Sequence, residues 1–173
     1  MKKFGLLGLF FLFSGMTLAQ KAEVKWLSFE QAIALNKENP KKILVDVYTN
    51  WCYYCKVMDK KTYANAKIAT YINANFYPVK FNAEQKEDLT FDGEVYKFKD
   101  VGRRGYHEFA VAILERKLSY PTTVFFDDKT HVISRLPGYL DARSFKPILV
   151  YLAEDFYETK SWDVFIKDYK KRR

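Results

Sequence analysis

An α/β domain with a mixed central sheet flanked by helices is predicted by three features of the chain. Ile43 to Tyr48 (ILVDVY) is a nearly unbroken, β-branched apolar run, the pattern of a strand covered on both faces. A helical pattern and a second strand follow it, which makes a β-α-β unit. The second half reads α-β-β-α, and the two orders together require a sheet with helices on both faces. The 173 residues suit one compact domain able to bury its own core, and the 49% hydrophobic content excludes a disordered chain.

The elements follow in order. Ser28-Phe29-Glu30-Gln31 is a capping box that opens a helix with an inner stripe at Ala32, Ile33 and Leu35, ended by Asn39-Pro40. After the ILVDVY strand, a helix is expected from Trp51-Cys52 through Val57-Met58, then a second helical piece over Asn65 to Asn73. Tyr77 to Phe81 (YPVKF) reads as the next strand. Leu89 to Phe98 is two short β-like runs around Asp92-Gly93, a two-residue hairpin turn because both residues tolerate positive φ. Gly105 to Lys117 is expected to be helical, with apolar Phe109, Ala112 and Ile113 and with Leu118 just beyond. Tyr120 to Asp127 and His131 to Leu136 are strands joined by a polar turn. A long helix starts near Asp141 or Ser144, since Pro147 is tolerated in a helix's first turn. A closing helix spans Ser161 to Tyr169, apolar at Trp162, Phe165 and Ile166.

The first residues read as an address. Met1-Lys2-Lys3 is positive, Phe4 to Phe13 is apolar, and Thr17-Leu18-Ala19 offers small residues for cleavage before Gln20. A transmembrane anchor is the other reading, but the apolar stretch falls short of the roughly 20 residues a spanning helix needs. The expectation is a signal peptide over 1–19 and a single domain over 20–173. No cysteine follows the cleavage site to anchor a lipoprotein, so the protein is expected to be exported to the periplasm. Removing the segment takes Lys2 and Lys3 from a formal charge of +8. The remaining positive charge is scattered over Lys41-Lys42, Lys60-Lys61, Arg103-Arg104 and the Lys170-Lys171-Arg172-Arg173 tail. Without a basic stripe interleaved with aromatics, nucleic acid is not an expected partner.

The chemistry rests on two cysteines, too few for a disulfide scaffold or a four-thiolate zinc site. Both lie in Trp51-Cys52-Tyr53-Tyr54-Cys55, directly after the buried strand and at the head of a helix. The free N–H groups and the dipole at a helix start stabilise a thiolate, and a thiol one turn on can close a disulfide with it. Such a pair can attack a substrate disulfide, hold it as a mixed disulfide and release it. Three other readings compete. A structural disulfide would close only a small loop, with little entropic effect. A zinc half-site would need His107 and His131, which lack ligand-like spacing. Two inert buried thiols would sit oddly beside a Trp-Cys turn.

With these residues in view, the sequence resembles the thioredoxin-fold proteins, above all exported ones such as the C-terminal domain of the transmembrane disulfide reductase. Ile43-Leu44-Val45-Asp46 leading to Trp51-Cys52-x-x-Cys55-Lys56 is similar to the family's active-site segment. Asp46 matches its buried acid and Lys80 the acid's lysine partner. Tyr120-Pro121-Thr122 matches the cis-proline turn that faces the cysteines, and Gly138 the glycine bordering the substrate groove. The match runs over about 25–155. It implies that Cys52 is the exposed attacking nucleophile and Cys55 the buried resolving thiol. Asp46 would accept the Cys55 proton through water, and Pro121 would expose the Tyr120 backbone for pairing with substrate. An Asp46 facing solvent from an edge strand, a Lys80 simply reaching water and a trans Pro121 are the plainer alternatives.

The chain departs from small thioredoxins at Glu84 to Arg104, where an inserted hairpin and the Gly102-Arg103-Arg104-Gly105 loop are either a partner-docking wall beside the groove or a neutral elaboration. The helix after Tyr157 is also extra. Tyr53-Tyr54 brings no cation to the Cys52 thiolate, which disfavours a strong oxidant. The expected function is thiol-disulfide exchange on exported proteins, leaning towards reductant or electron carrier. Apolar peptide would dock around Trp51, Tyr53, Tyr54, Tyr120, Pro121 and Gly138. No cofactor and no metal are implied; the expected partners are protein disulfides or thiols and a membrane reductase as electron donor, and the protein is expected to be a monomer. The alternative is a thioredoxin-fold binding module or chaperone without turnover.

Overall fold

The computed structural model describes residues 22–102 and 104–172. The expected signal peptide, Arg103 and Arg173 lie outside the described residues, and no helix among those described is long and apolar enough to cross a membrane. The chain runs α1 (Phe29–Glu38), β1 (Ile43–Tyr48), α2 (Tyr53–Met58), a π-helical turn (Asp59–Tyr63), α3 (Ala66–Asn75) and β2 (Tyr77–Asn82). Two small pairs follow, β3 (Leu89–Phe91) with β4 (Glu94–Tyr96), and β5 (Phe98–Lys99) with β6 (Tyr106–His107). Then come α4 (Glu108–Ile113), β7 (Thr122–Phe126), β8 (Val132–Pro137), α5 (Ala142–Ala153), α6 (Phe156–Thr159) and α7 (Trp162–Lys171).

The main sheet has the order β2-β1-β7-β8, with β1 parallel to β2 and antiparallel to β7. The mixed sheet, the inserted hairpin and the closing helix are therefore all present. Alternation along β1 sends Ile43, Val45 and Val47 to one face and Leu44 and Asp46 to the other. The first face packs against Phe29 and Ala32 of α1 and Phe109 and Ala110 of α4. The second packs against Met58, Tyr63, Ile68 and Ile72, and Phe145 and Leu149 of α5. Each such fully buried large side chain contributes about 1.5–3 kcal/mol by leaving water.

Several local expectations are corrected. Leu35 is exposed; the buried stripe of α1 is Phe29, Ala32 and Asn36, and Asn36 satisfies its amide by donating from Nδ2 to the Lys41 carbonyl (2.7 Å). The helix expected over Gly105 to Lys117 is confined to α4, because Tyr106 and His107 enter β5–β6 pairing and Glu115 and Arg116 turn to positive φ. Ala112 and Leu118 consequently face solvent. Asp141 caps α5, its carboxylate accepting from the Ser144 N–H (2.8 Å), so Pro147 stands in the second turn. There it removes one helical hydrogen bond while burying its ring.

The inserted hairpin packs on the core. Leu89 is buried, and Phe91 and Tyr96 pack on the α1 side of the core, with Phe91 edge-on to Phe29 (5.1 Å) and Tyr96 to Phe109 (5.4 Å). The hairpin covers the core, and the ends of the insertion reach Trp51.

Candidate active site

β1 leads straight into the site. Thr49 accepts the Cys52 N–H on its carbonyl (3.1 Å), and Cys52 caps α2, with the Cys55 N–H donating to its Sγ (3.1 Å). The two sulfurs are joined in a disulfide. One expectation fails: Cys52 is only 5% exposed, against 2% for Cys55, so the attacking sulfur is nearly covered in the oxidised form. Around it stand exposed rings, with Trp51 48%, Tyr53 71% and Tyr54 59% accessible.

The other residues matched by motif converge here in part. Tyr120-Pro121 is cis, and the Gly138 N–H donates to the Pro121 carbonyl (2.8 Å), extending the β7–β8 ladder. Gly138 has φ +91°, a conformation that favours glycine. The Trp51 ring lies edge-on to Tyr120 at 5.9 Å. Tyr54 meets Tyr53 at 5.4 Å and Tyr139 at 6.3 Å, and Tyr139 had escaped the sequence reading.

Beneath the α2 side of the sheet is a charged cluster. Parallel register sets Asp46 beside Lys80, and Lys80 Nζ donates to Asp46 Oδ2 (2.5 Å) and also to Asp59 Oδ1. Trp26, Tyr48 and Tyr63 surround the ammonium at 4.9–5.4 Å from their ring centres. Asp46 is 1% exposed, and its Oδ1 makes no hydrogen bond of ordinary geometry. Burial raises the Asp46 pKa, with Asp59 adding to it, and outweighs the attraction of Lys80 and a smaller contribution from the Tyr63 hydroxyl. Burial pulls Lys80 down, but its two carboxylates leave it raised. Burial, then the Asp46 charge, pushes the Tyr63 phenol well up. Two acids share one ammonium, so a carboxyl that holds its proton more readily than usual lies on the sheet face that α2 covers.

Asp59 was missed, although it follows Cys55 by four residues and so falls on the same helical face. The residues that hold Trp51 were missed too. Its Nε1–H donates to Glu84 Oε1 (2.8 Å), and the Arg104 guanidinium lies 4.1 Å over its ring. Glu84 and Arg104 are the two ends of the insertion. Tyr120 is pushed up to about 12 by burial and then by the Glu84 charge.

Comparison with known proteins agrees with this geometry. A thioredoxin-like domain model matches residues 29–153. The thiol:disulfide interchange protein DsbD of Vibrio vulnificus is 25% identical over 135 residues, covering 73% of this chain and 19% of DsbD. The chain thus spans about a fifth of that relative's length. A thioredoxin-fold protein from Helicobacter pylori superposes with TM-score 0.56 at 22% identity, over 77% of this chain and 82% of its own. A putative disulphide-isomerase from Bacteroides thetaiotaomicron does so with TM-score 0.55 at 23% identity, over 83% and 100%. These likenesses show the thioredoxin fold.

Proposed function

We propose, because this chain belongs to the thioredoxin-like domain family, that it is a thiol-disulfide oxidoreductase that reduces disulfides in exported proteins through Cys52 and Cys55. The observation that carries the reading is the Cys52–Cys55 disulfide at the head of α2, ringed by exposed Trp51, Tyr53 and Tyr54. In the reduced protein the Cys52 thiolate attacks one sulfur of a substrate disulfide, and the other sulfur leaves as a thiolate that takes up a proton. Cys55 then loses its proton to Asp46 through water and attacks the Cys52 sulfur. The substrate leaves as a dithiol, and the protein keeps the disulfide. Each turnover moves two electrons, which a membrane reductase would return. Tyr120, Pro121 and Gly138 border the groove in which the substrate segment lies, and Lys80 holds Asp46 in place. The signal-like segment over 1–19 and the likeness to DsbD support action in the periplasm.

Insulin reduction by dithiothreitol tests the reading. Wild type accelerates it and Cys52→Ser does not, while Cys55→Ser accumulates mixed disulfides with exported proteins. The exposed rings also suit a peptide-binding module without turnover. Peptide binding and cellular phenotype that both survive loss of the two thiols would establish that reading instead.

A further inference from the structure

We propose that Arg104 selects substrates, recognising a carboxylate carried next to the half-cystine that Cys52 attacks. The inference rests on the exchange reading above and names the chemistry of the preferred substrate, an acidic peptide segment.

Arg104 lies over the ring of Trp51, the residue immediately before Cys52. A guanidinium set on an aromatic ring gives that ring its face and keeps N–H donors at its edge, in a fork that matches a carboxylate. Among the described residues no carboxylate forms an ion pair with Arg104, and its side chain is exposed. An anion-recognising group is therefore held without an anion at the rim of the candidate groove. Glu84 is half-buried and accepts the Trp51 indole N–H.

The position is built. Gly105 follows directly, and a Cβ there would stand 1.9 Å from Phe98 Cζ and 2.6 Å from the Lys99 carbonyl oxygen. Only glycine lets the chain pass so close to β5, and the β5–β6 pairing then anchors it through Lys99↔Tyr106 and Phe98↔His107. On its other side Trp51 is held by Glu84 and Tyr120. Backbone fit fixes where Arg104 emerges, and the indole fixes where its head group rests.

The test uses the reduced protein and peptide disulfides that differ only in Glu or Gln beside the cysteine. Each rate constant is normalised to that of dithiothreitol with the same peptide, which removes the effect of Glu on the leaving thiol. The wild type is expected to prefer the Glu peptide by about fivefold at low salt, the size of one charge-assisted contact at a surface, with the preference shrinking at high salt. Arg104→Gln should bring the ratio near one, and Arg104→Lys should retain part of it. An unchanged Glu/Gln ratio in Arg104→Gln overturns the proposal. A fall on both peptides with the ratio kept also overturns it, since Arg104 would then only hold Trp51. If the wild type releases thiol from neither peptide, the exchange reading itself has failed.

Discussion

Asp46→Asn should make the oxidised protein more stable at neutral pH while making it a slower reductant. Asp46 is the one charged residue inside β1, 1% exposed, with Oδ1 lacking a hydrogen bond. Its partner Lys80 also bonds Asp59, so removing the Asp46 charge does not strand the ammonium. Asn keeps the polar atoms but drops the charge, whose burial cost outweighs the attraction of Lys80, and replacing a buried ion pair by neutral groups stabilises by up to about 1–4 kcal/mol. For a domain of this size that corresponds to a rise in melting temperature of about 2–4 °C per kcal/mol.

The pH dependence gives the sharper test. Burial raises the Asp46 pKa in the folded state above its unfolded value. The native state therefore binds more protons than the unfolded one across that window, and stability falls as pH rises through it. The contribution is fully present below about pH 4, where both states are protonated, and is lost once pH passes the raised value. Asn does not titrate. The stability difference between Asp46→Asn and wild type should thus be small at pH 3.5, widen with pH and then level off. Thermal unfolding followed by circular dichroism across this range measures it. A difference that stays flat with pH would refute the claim that burial outweighs the pull of Lys80. In the insulin assay the same variant should be slower by about a hundredfold at pH 7, the usual size of a lost general base.

Two further outcomes follow from the insertion. Gly105→Ala should destabilise the protein by about 1–3 kcal/mol through overpacking against Phe98 and Lys99, and shift tryptophan emission as Arg104 leaves Trp51; unchanged unfolding would contradict the close approach. Glu84→Gln should lower the Tyr120 phenol from about 12, because one of the two causes of its elevation is gone. Ultraviolet titration of that variant against Tyr120→Phe reads the change, and an unmoved titration would leave burial as the sole cause.

What was legible in the chain was whatever depends on short range. The ILVDVY run became β1 because continuous apolarity has few solutions other than a strand covered on both sides. Asp92 and Gly93 take the positive φ values their turn requires, and the cysteine spacing alone locates the reactive turn. Helix faces were harder to read. The stripe of α1 begins at Phe29 and continues through Asn36, a polar residue satisfied by the Lys41 carbonyl, and counting apolar residues therefore chose Leu35 wrongly. Helix lengths fail for a similar reason: nothing in Glu115-Arg116 announces positive φ, so α4 ends early without a glycine to mark it.

The site was legible only as pairs. Asp46 and Lys80 could be matched from motif, but the cluster they belong to is assembled by four segments of the chain. Leu27 bonds along β2, with its N–H donating to the Pro78 carbonyl (2.8 Å), and this brings Trp26 over Lys80. The π-helical turn after α2 supplies Asp59 and Tyr63. A π turn advances the helix face by an extra residue, so α-helical spacing from Cys55 reaches Asp59 but gives no account of Tyr63. The same reasoning applies to the insertion, which the sequence offers only as a hairpin and a loop without saying which residues meet the site. The hairpin is held by the apolar residues Leu89, Phe91 and Tyr96, which face the core. The chemistry lies instead at Glu84 and Arg104, where the insertion leaves and rejoins the fold, because those are the positions that the main sheet and Gly105 bring to Trp51.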